Sequence, residues 1–212
     1  MASLPVPSMV ANVVIAVISF GAWLMLAFDR RADERKLVSR GRESLRYFTV
    51  LSNLFSGLVS AVYASVPLWA GEVPSWLLTL KLMSASAVML TFLTVVLLLS
   101  PVHGWKSMFV GGNFWLHLVL PLLAAIDCCL FVPVRHLPWI STLWAALPTL
   151  LYGIGYLRSV LTHGAEENGV VYDFYGFLRW GKDKIPVVMV GMLLFTWVIA
   201  LGLYFCNVAL HG

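Results

Sequence analysis

Two side chains in apolar surroundings have the types needed for nucleophilic catalysis, the hydroxyl of Thr49 and the imidazole of His117. A threonine hydroxyl is inert as a nucleophile until a neighbouring base accepts its proton. Histidine is the natural base near neutral pH, and His117 is the only histidine inside an apolar span. The others lie in loops or at the chain end: His103, His136, His163 and His211. Thr49 and His117 are therefore the pair that could carry out acyl transfer.

The polar residues around Thr49 also admit a purely structural interpretation. Thr49 and Asn53 are four residues apart and share a helix face, which Ser52 and Ser56 flank. Such side chains join membrane helices through interhelical hydrogen bonds, and Gly57 would permit a close approach. Taken alone, this segment favours helix packing over catalysis.

The segment that contains His117 has two further residues that are unusual at membrane depth, Pro121 and Asp127. Pro121 should displace the carbonyl of His117, remove one helical hydrogen bond and kink the helix. Asp127 lies about 15 Å further along the axis, too far to orient the imidazole, so Asn53 or a tyrosine could orient it instead. An ionisable group in a membrane usually indicates function. The alternative is a buried histidine and a buried aspartate that neighbouring helices satisfy.

The residues before His117 predict an anion site. Asn113 follows two glycines and is a candidate N-cap. The N–H groups of Phe114 to Leu116 would then lack intrahelical partners. We expect them to face an anion, as helix N-termini do in oxyanion sites.

A stripe of aromatic residues approaches the same depth from a later segment. Tyr152 and Tyr156 follow Pro148 at four-residue spacing. Tyr152 is the deeper and could donate a hydrogen bond within a pocket, whereas Tyr156 is typical of an interfacial aromatic belt. The long basic and aromatic segment that follows suits a position on the lipid headgroups, covering a lipid entrance.

Composition identifies the class of protein that holds these residues. Of 212 residues, 60% are hydrophobic and 11% are charged, whereas soluble domains carry about 25% charged residues. The chain is therefore an integral membrane protein. Its net charge of +4 does not indicate nucleic acid, because the basic residues lie in short loops between apolar spans. The three cysteines lie inside those spans without metal-binding spacing, and we expect no metal and no cofactor.

Six apolar spans predict an all-α, single-domain bundle of six transmembrane helices over residues 1–212. They cover approximately 9–28, 47–70, 77–100, 113–132, 139–156 and 185–208. Each should be helical because every backbone polar group in lipid must be paired within its segment, and the runs lack the alternation of barrel strands. The lack of a convincing internal repeat weighs modestly against an inverted-repeat transporter.

The placement of Lys and Arg predicts the orientation of these spans. Of 14 such residues, all but Lys81 and Arg135 fall in loops one, three and five. These loops should therefore be cytoplasmic, with both chain ends outside, and the compact chain suggests a bacterial plasma membrane. Spans two and four then enter from the same face, so Thr49 and His117 lie at matched depth and could meet.

Three segments carry a resemblance to a known family: YFTVLSN at the head of span two, FWLHLVLPLLAAID in span four, and LYGIGYLR with NGVVYDFYGFL around the fifth loop. They resemble the six-span androgen-induced and androgen-dependent (ADTRP-type) proteins of animals and their bacterial relatives. The similarity covers nearly the whole chain in span order, and the His…Pro…Asp pattern of span four resembles the bacterial branch.

That family includes intramembrane threonine hydrolases of fatty acid esters of hydroxy fatty acids. Its catalytic threonine heads span two and its catalytic histidine lies in span four, so the resemblance implies these roles for Thr49 and His117. The chain departs from the animal proteins at LHLVLP around the histidine and at YDFYGFL in the fifth loop.

The expected function is hydrolysis of a membrane lipid or fatty acyl ester, with Asn53, Asn113, Tyr152, Tyr156 and Asp127 as candidate pocket or supporting residues. A channel, transporter or lipid-binding protein is the alternative, with Asp127, Lys81 and the polar stripe of span two along a pathway. Such a pathway needs polar residues in both leaflets, and we expect them near one face apart from Asp127. In a third interpretation, a scaffold protein, the polar residues only pack helices.

Overall fold

The computed structural model describes residues 4–28 and 41–211, and six of its helices are long and apolar enough to cross a membrane. They are α1 (Val6–Phe28), α2 (Phe48–Trp69), α3 (Ser75–Leu99), α4 (Gly112–Leu130), α5 (Trp139–His163) and α6 (Ile185–His211). The predicted all-α bundle of six membrane helices is confirmed. The fifth span is longer than predicted, because its helix continues past Tyr156 to His163.

Part of the predicted orientation depends on loop one. Five of the basic residues of loop one on which this prediction rests lie outside the described residues: Arg30, Arg31, Arg35, Lys36 and Arg40.

The bundle packs around α3, which contacts α2, α4, α5 and α6. Its fully buried residues include Leu82, Val88 and Leu90. On the other side of α2, α1 packs closely at Gly57, where an added Cβ would come within 2.5 Å of the hydroxyl oxygen of Ser19. The close approach predicted at Gly57 is thus confirmed, and α1 is the helix that makes it.

Two helices depart from regular α geometry near the face formed by loops one, three and five. A π turn ends α3 at Val95–Leu99, and another occupies Trp115–Val119 in α4. The second directly precedes Pro121, which lacks the N–H that a regular helix would direct to the carbonyl of His117. The helix is irregular at His117, as predicted from Pro121, and the irregularity is a π turn. The predicted kink stays a prediction.

The loops on this face contain several shorter elements. Loop three holds two short helical turns, Ser100–His103 and Trp105–Met108. Loop five begins with an antiparallel hairpin of β1 (Glu166–Glu167) and β2 (Val170–Val171). Asn168 and Gly169 connect the strands with φ of 53° and 77°, as a two-residue hairpin with the sequence Asn-Gly requires. Short 3₁₀ turns then lead into α6: Phe177–Trp180 and Lys182–Lys184.

Candidate functional site

The head of α2, which carries Thr49, is held by tyrosines of α5 and loop five. The hydroxyl of Tyr175 accepts a hydrogen bond from the N–H of Phe48 at 3.0 Å, one of the donors that the start of a helix leaves unpaired. The hydroxyl of Tyr152 donates to the carbonyl of Arg46 at 2.7 Å. Tyr152 therefore positions the backbone that leads into Thr49.

Tyr156 lies inside this arrangement and is 5% exposed. Its hydroxyl donates to Asp173, whose carboxylate also accepts the N–H groups of Phe177 and Leu178 at 2.8 Å each. Tyr156 is thus buried against loop five, and the interpretation of it as an interfacial belt residue is wrong. Burial also raises the pKa of Tyr175 to about 12, so this hydroxyl stays neutral near pH 7.

Asn53 connects the head of α2 to the segment that carries His117. Its buried amide nitrogen donates to the carbonyl of Thr49 at 2.6 Å and to the carbonyl of Leu116 at 3.2 Å. Two main-chain segments thus share one donor, and the backbones of Thr49 and His117 are neighbours. Asn53 binds these carbonyls and does not hydrogen-bond to the imidazole, so its expected role in orienting His117 is corrected.

The group that orients His117 is the main-chain carbonyl of Met108 in loop three. The ring is 3% exposed, and its Nδ1 lies 2.7 Å from that oxygen. A carbonyl oxygen can only accept, so Nδ1 carries the hydrogen and Nε2 carries the lone pair of the neutral ring. Any residue type could supply this carbonyl, which is why the sequence contains no signal for Met108.

The contacts of the described residues do not join the hydroxyl of Thr49 to the imidazole of His117. Thr49 is half-buried, and within the described residues no hydrogen bond joins it to His117. The next turn of α2 packs differently, because Ser52 pairs with Thr91 of α3 at 3.2 Å. That contact is of the helix-joining type. The structure brings the two candidate catalytic residues onto adjacent helix segments, and their catalytic roles stay predictions.

Asn113 does not act as the predicted N-cap. Gly111, with φ of 59°, precedes the first turn of α4, and Asn113 lies inside that turn without a side-chain capping bond. Two of the N–H groups expected to be free, those of Phe114 and Trp115, donate to the carbonyls of Gly111 and Gly112. The predicted oxyanion site therefore lacks these two donors. The buried Oδ1 of Asn113 has no hydrogen-bond partner among the described residues.

Asp127 lies in the other half of the bundle and forms a buried ion pair with Lys81. Its Oδ2 is 3.0 Å from Nζ of Lys81, and both side chains are 0% exposed. Ser8 and Asn12 of α1 each donate to the carboxylate at 2.8 Å. The alternative interpretation of Asp127, a buried aspartate whose carboxylate is bound by side chains of neighbouring helices, is therefore confirmed. In the sequence, the one indication that Lys81 pairs with Asp127 is its position inside an apolar span.

Polar side chains are not confined to one face, and the prediction that they would be is wrong. Asn53, Ser56 and Ser60 are buried at successive turns of α2. The hydroxyl of Ser60 accepts from Nζ of Lys81 at 3.2 Å. Buried polar groups therefore extend from the head of α2 to the Lys81–Asp127 pair.

A groove of about 340 Å³ opens beside the head of α2, between this helix, α5 and loop five. Its walls include Leu51, Tyr152, Tyr156 and Phe174, whereas Thr49 and His117 are not among its lining residues. The groove thus lies beside the turn of α2 that carries Thr49, and it does not enclose the two candidate catalytic residues.

No family model, no curated protein and no solved structure matches this chain.

Proposed function

We propose that this protein is an intramembrane hydrolase of lipid esters in which Thr49 is the nucleophile and His117 is the general base. The observation that carries this proposal is the hydrogen bond from Nδ1 of His117 to the carbonyl of Met108 at 2.7 Å. It leaves Nε2 as the basic nitrogen, which is the state that a Ser-His-Asp triad achieves with a carboxylate. In this proposal the carbonyl of Met108 takes the role that the aspartate carboxylate has in the triad.

The reaction would proceed through an acyl-enzyme. Oγ1 of Thr49 forms a bond to the ester carbonyl carbon while its proton moves to Nε2 of His117. The carbon–oxygen bond of the ester then breaks, and the leaving alkoxide takes that proton to become the alcohol. Water next gives a proton to His117 and attacks the acyl-threonine, which releases the carboxylic acid and restores the hydroxyl. These steps need no metal and no cofactor.

The hydroxyl of Thr49 must turn towards the imidazole when substrate binds. Rotation about χ1 between staggered positions moves a threonine hydroxyl without moving the backbone. Catalytic hydrogen bonds also often tighten only in the substrate complex. Asn53 supports this step because it holds the carbonyls of Thr49 and Leu116 on one amide nitrogen, which keeps the two helix segments in register.

The substrate would enter from the lipid through the groove beside α2. The groove combines apolar walls with Arg46, Tyr152 and Tyr156, which suits an acyl chain with a polar group at the membrane interface. The motif resemblance points to fatty acid esters of hydroxy fatty acids or similar lipid esters. We place this groove at the cytoplasmic face of a bacterial plasma membrane, because the basic residues favour loops one, three and five on that side.

Labelling with a fluorophosphonate probe, which reacts with activated hydroxyl nucleophiles, tests the proposal. Wild type should be labelled and peptide mass spectrometry should place the adduct on Thr49, whereas Thr49→Ala and His117→Ala should lose it. Thr49→Ser should keep labelling because it retains the hydroxyl. Thr94→Ala removes a half-buried threonine of α3, and His136→Ala removes an exposed histidine. Both controls should label like wild type.

Two results would contradict the catalytic assignment. One is equal labelling of wild type, Thr49→Ala and His117→Ala, and the other is no labelling of any of them. An adduct on another hydroxyl, such as that of Ser52, would reject Thr49 as the nucleophile.

A channel or transporter is the second candidate function, because buried polar groups continue through both halves of the bundle to Lys81 and Asp127. Proteoliposomes loaded with a pH-sensitive dye distinguish the two. A conducting protein should carry protons or ions at a rate that Asp127→Asn changes. The hydrolase proposal predicts no flux above that of empty liposomes.

A further inference from the structure

Two cysteines on different helices meet at the end of the bundle away from Thr49 and His117. Cys129 is the next-to-last residue of α4, and Cys206 lies near the end of α6. The thiol of Cys129 makes a side-chain hydrogen bond to that of Cys206. Both residues are free cysteines in this structure, so the pair is in its reduced form.

The residue after Cys206, Asn207, shows how closely α6 approaches α4 at this point. Its buried amide nitrogen donates to the carbonyls of Cys128 and Cys129 at 3.0 and 2.9 Å. Its Oδ1 accepts the N–H of Arg135 at 3.2 Å, so the same side chain also holds the loop after α4. An asparagine side chain is short, so these bonds require the backbones of α4 and α6 to lie close together beside the two thiols.

Close helix backbones with thiols in contact are what a disulfide requires. A disulfide holds its two Cβ atoms about 3.5–4.5 Å apart, and cysteines on separated segments cannot reach this distance. Rotation of a cysteine about χ1 moves the sulfur between staggered positions without moving the backbone. A bond between Cys129 and Cys206 therefore needs side-chain rotation rather than repacking of α4 against α6.

The exposure of the three cysteines separates this pair from the third. Cys128 is 0% exposed and belongs to the hydrophobic core. Cys129 is half-buried and Cys206 is exposed. An exposed side chain within a membrane span faces lipid, and the oxidation of a thiol depends on such access. A reagent that approaches through the lipid therefore meets Cys206 first, with Cys129 in contact behind it.

We propose that Cys129 and Cys206 are a redox-active pair, which a lipid-soluble two-electron oxidant of the quinone class converts to a disulfide between α4 and α6. The two S–H bonds break as the S–S bond forms, and the two electrons and two protons reduce the quinone to a hydroquinone. The orientation proposed above places this end of the bundle on the outer face of the membrane, where disulfides persist. The pair lies away from Thr49 and His117 and does not depend on the hydrolase proposal.

Thiol counting after oxidation tests whether the pair forms. The full protein in dodecyl maltoside is oxidised with copper phenanthroline in air, freed of reagent and denatured in dodecyl sulfate. A maleimide-linked polyethylene glycol then adds a fixed mass to each free thiol, which a gel resolves. Wild type has three cysteines, so it should change from three additions to one, and dithiothreitol should restore all three.

Single variants assign the bond to its two cysteines. Cys129→Ser and Cys206→Ser should each keep two additions before and after oxidation. Cys128→Ala is the matched control, because it removes the neighbouring cysteine that faces the core, and it should change from two additions to none. Peptide mass spectrometry of this variant should find Cys129 linked to Cys206, and the oxidised protein should migrate as a monomer on a non-reducing gel.

The disulfide should also stabilise the protein, because it links residues far apart in the sequence and so restricts the unfolded chain. The oxidised wild type should therefore have a higher melting temperature than the reduced wild type. Cys206→Ser treated in the same way should show no such difference.

Two oxidants applied to proteoliposomes identify where the electrons go. Duroquinone is lipid-soluble, and its fully substituted ring does not add thiols, so the loss of two thiols reports their oxidation. Oxidised glutathione acts from water. Disulfide formation with duroquinone supports the proposal, and the response to glutathione shows whether an oxidant in water reaches the pair as well.

Four results would overturn the proposal. Wild type could keep three additions after copper phenanthroline, or Cys129→Ser could lose thiols by forming dimers through Cys206. Neither duroquinone nor oxidised glutathione could form the bond, which would exclude a redox role. Reaction with glutathione alone would exclude a lipid-soluble oxidant.

Discussion

Breaking the buried pair between Lys81 and Asp127 should cost much more stability than replacing both partners. The carboxylate receives Lys81 at 3.0 Å and the side chains of Ser8 and Asn12 at 2.8 Å each. Asp127→Leu would leave the ammonium group of Lys81 buried without its counter-charge. We expect such a single change to lower the free energy of unfolding by about 3–5 kcal/mol.

Lys81→Met should cost a similar amount, because it leaves the carboxylate unpaired. The double variant with Lys81→Met and Asp127→Leu removes both charges and substitutes apolar volume. Replacing a buried ion pair with packed apolar residues is often neutral, so the double variant should recover most of the loss. Asn12 keeps its second bond, from its amide to the carbonyl of Ser8 at 2.8 Å, which limits the remaining cost.

Unfolding by sodium dodecyl sulfate in mixed micelles gives the required free energies, and the four proteins form a double-mutant cycle. Lys106→Met removes an exposed lysine of loop three and should change stability by less than about 0.5 kcal/mol. Single variants that each cost under about 1 kcal/mol would refute this reasoning. So would a double variant whose loss equals the sum of the two single losses.

Two further predictions concern the placement of α2. Gly57→Ala would bring a Cβ to within 2.5 Å of the hydroxyl of Ser19 and should lower the free energy of unfolding by about 1–3 kcal/mol. In the control, Gly21→Ala, the added Cβ meets no atom within 4 Å, and the free energy of unfolding should not fall. Equal losses in the two variants would exclude close packing at Gly57 as the cause. Tyr175→Phe removes the acceptor for the N–H of Phe48 and should reduce fluorophosphonate labelling of the protein. Burial raises the pKa of Tyr175 to about 12 from about 10, so deprotonation of this hydroxyl favours the unfolded state. The free energy of unfolding of wild type should therefore fall between about pH 10 and pH 12. Tyr175→Phe has no such hydroxyl and should lack this part of the decrease. A wild type and a Tyr175→Phe variant with parallel pH profiles would contradict this.

The placement of the main helices could be predicted because lipid imposes a simple rule. A segment that crosses the apolar layer must be long, apolar and internally hydrogen-bonded, and these properties are local. The predicted spans therefore match the six membrane helices closely, apart from the extension of α5 to His163. The interruption before Pro121 followed from the missing N–H of proline alone, and the structure expresses it as a π turn.

The surroundings of His117 could not be predicted, because they consist of main-chain groups. Every residue carries a carbonyl, so nothing in the sequence identifies that of Met108 as the acceptor for Nδ1. The capping prediction at Asn113 failed for a related reason: Gly111 takes the cap position, and carbonyls of the same turn satisfy the nearby N–H groups.

The sequence by itself determined that this is a six-helix membrane protein, and that a threonine and a histidine enter the membrane from one face. Only the tertiary structure decided which polar groups meet, because pairing depends on how each helix is rotated about its axis and packed against its neighbours. That rotation places Asn53 between Thr49 and Leu116. It also joins Lys81 of α3 to Asp127 of α4.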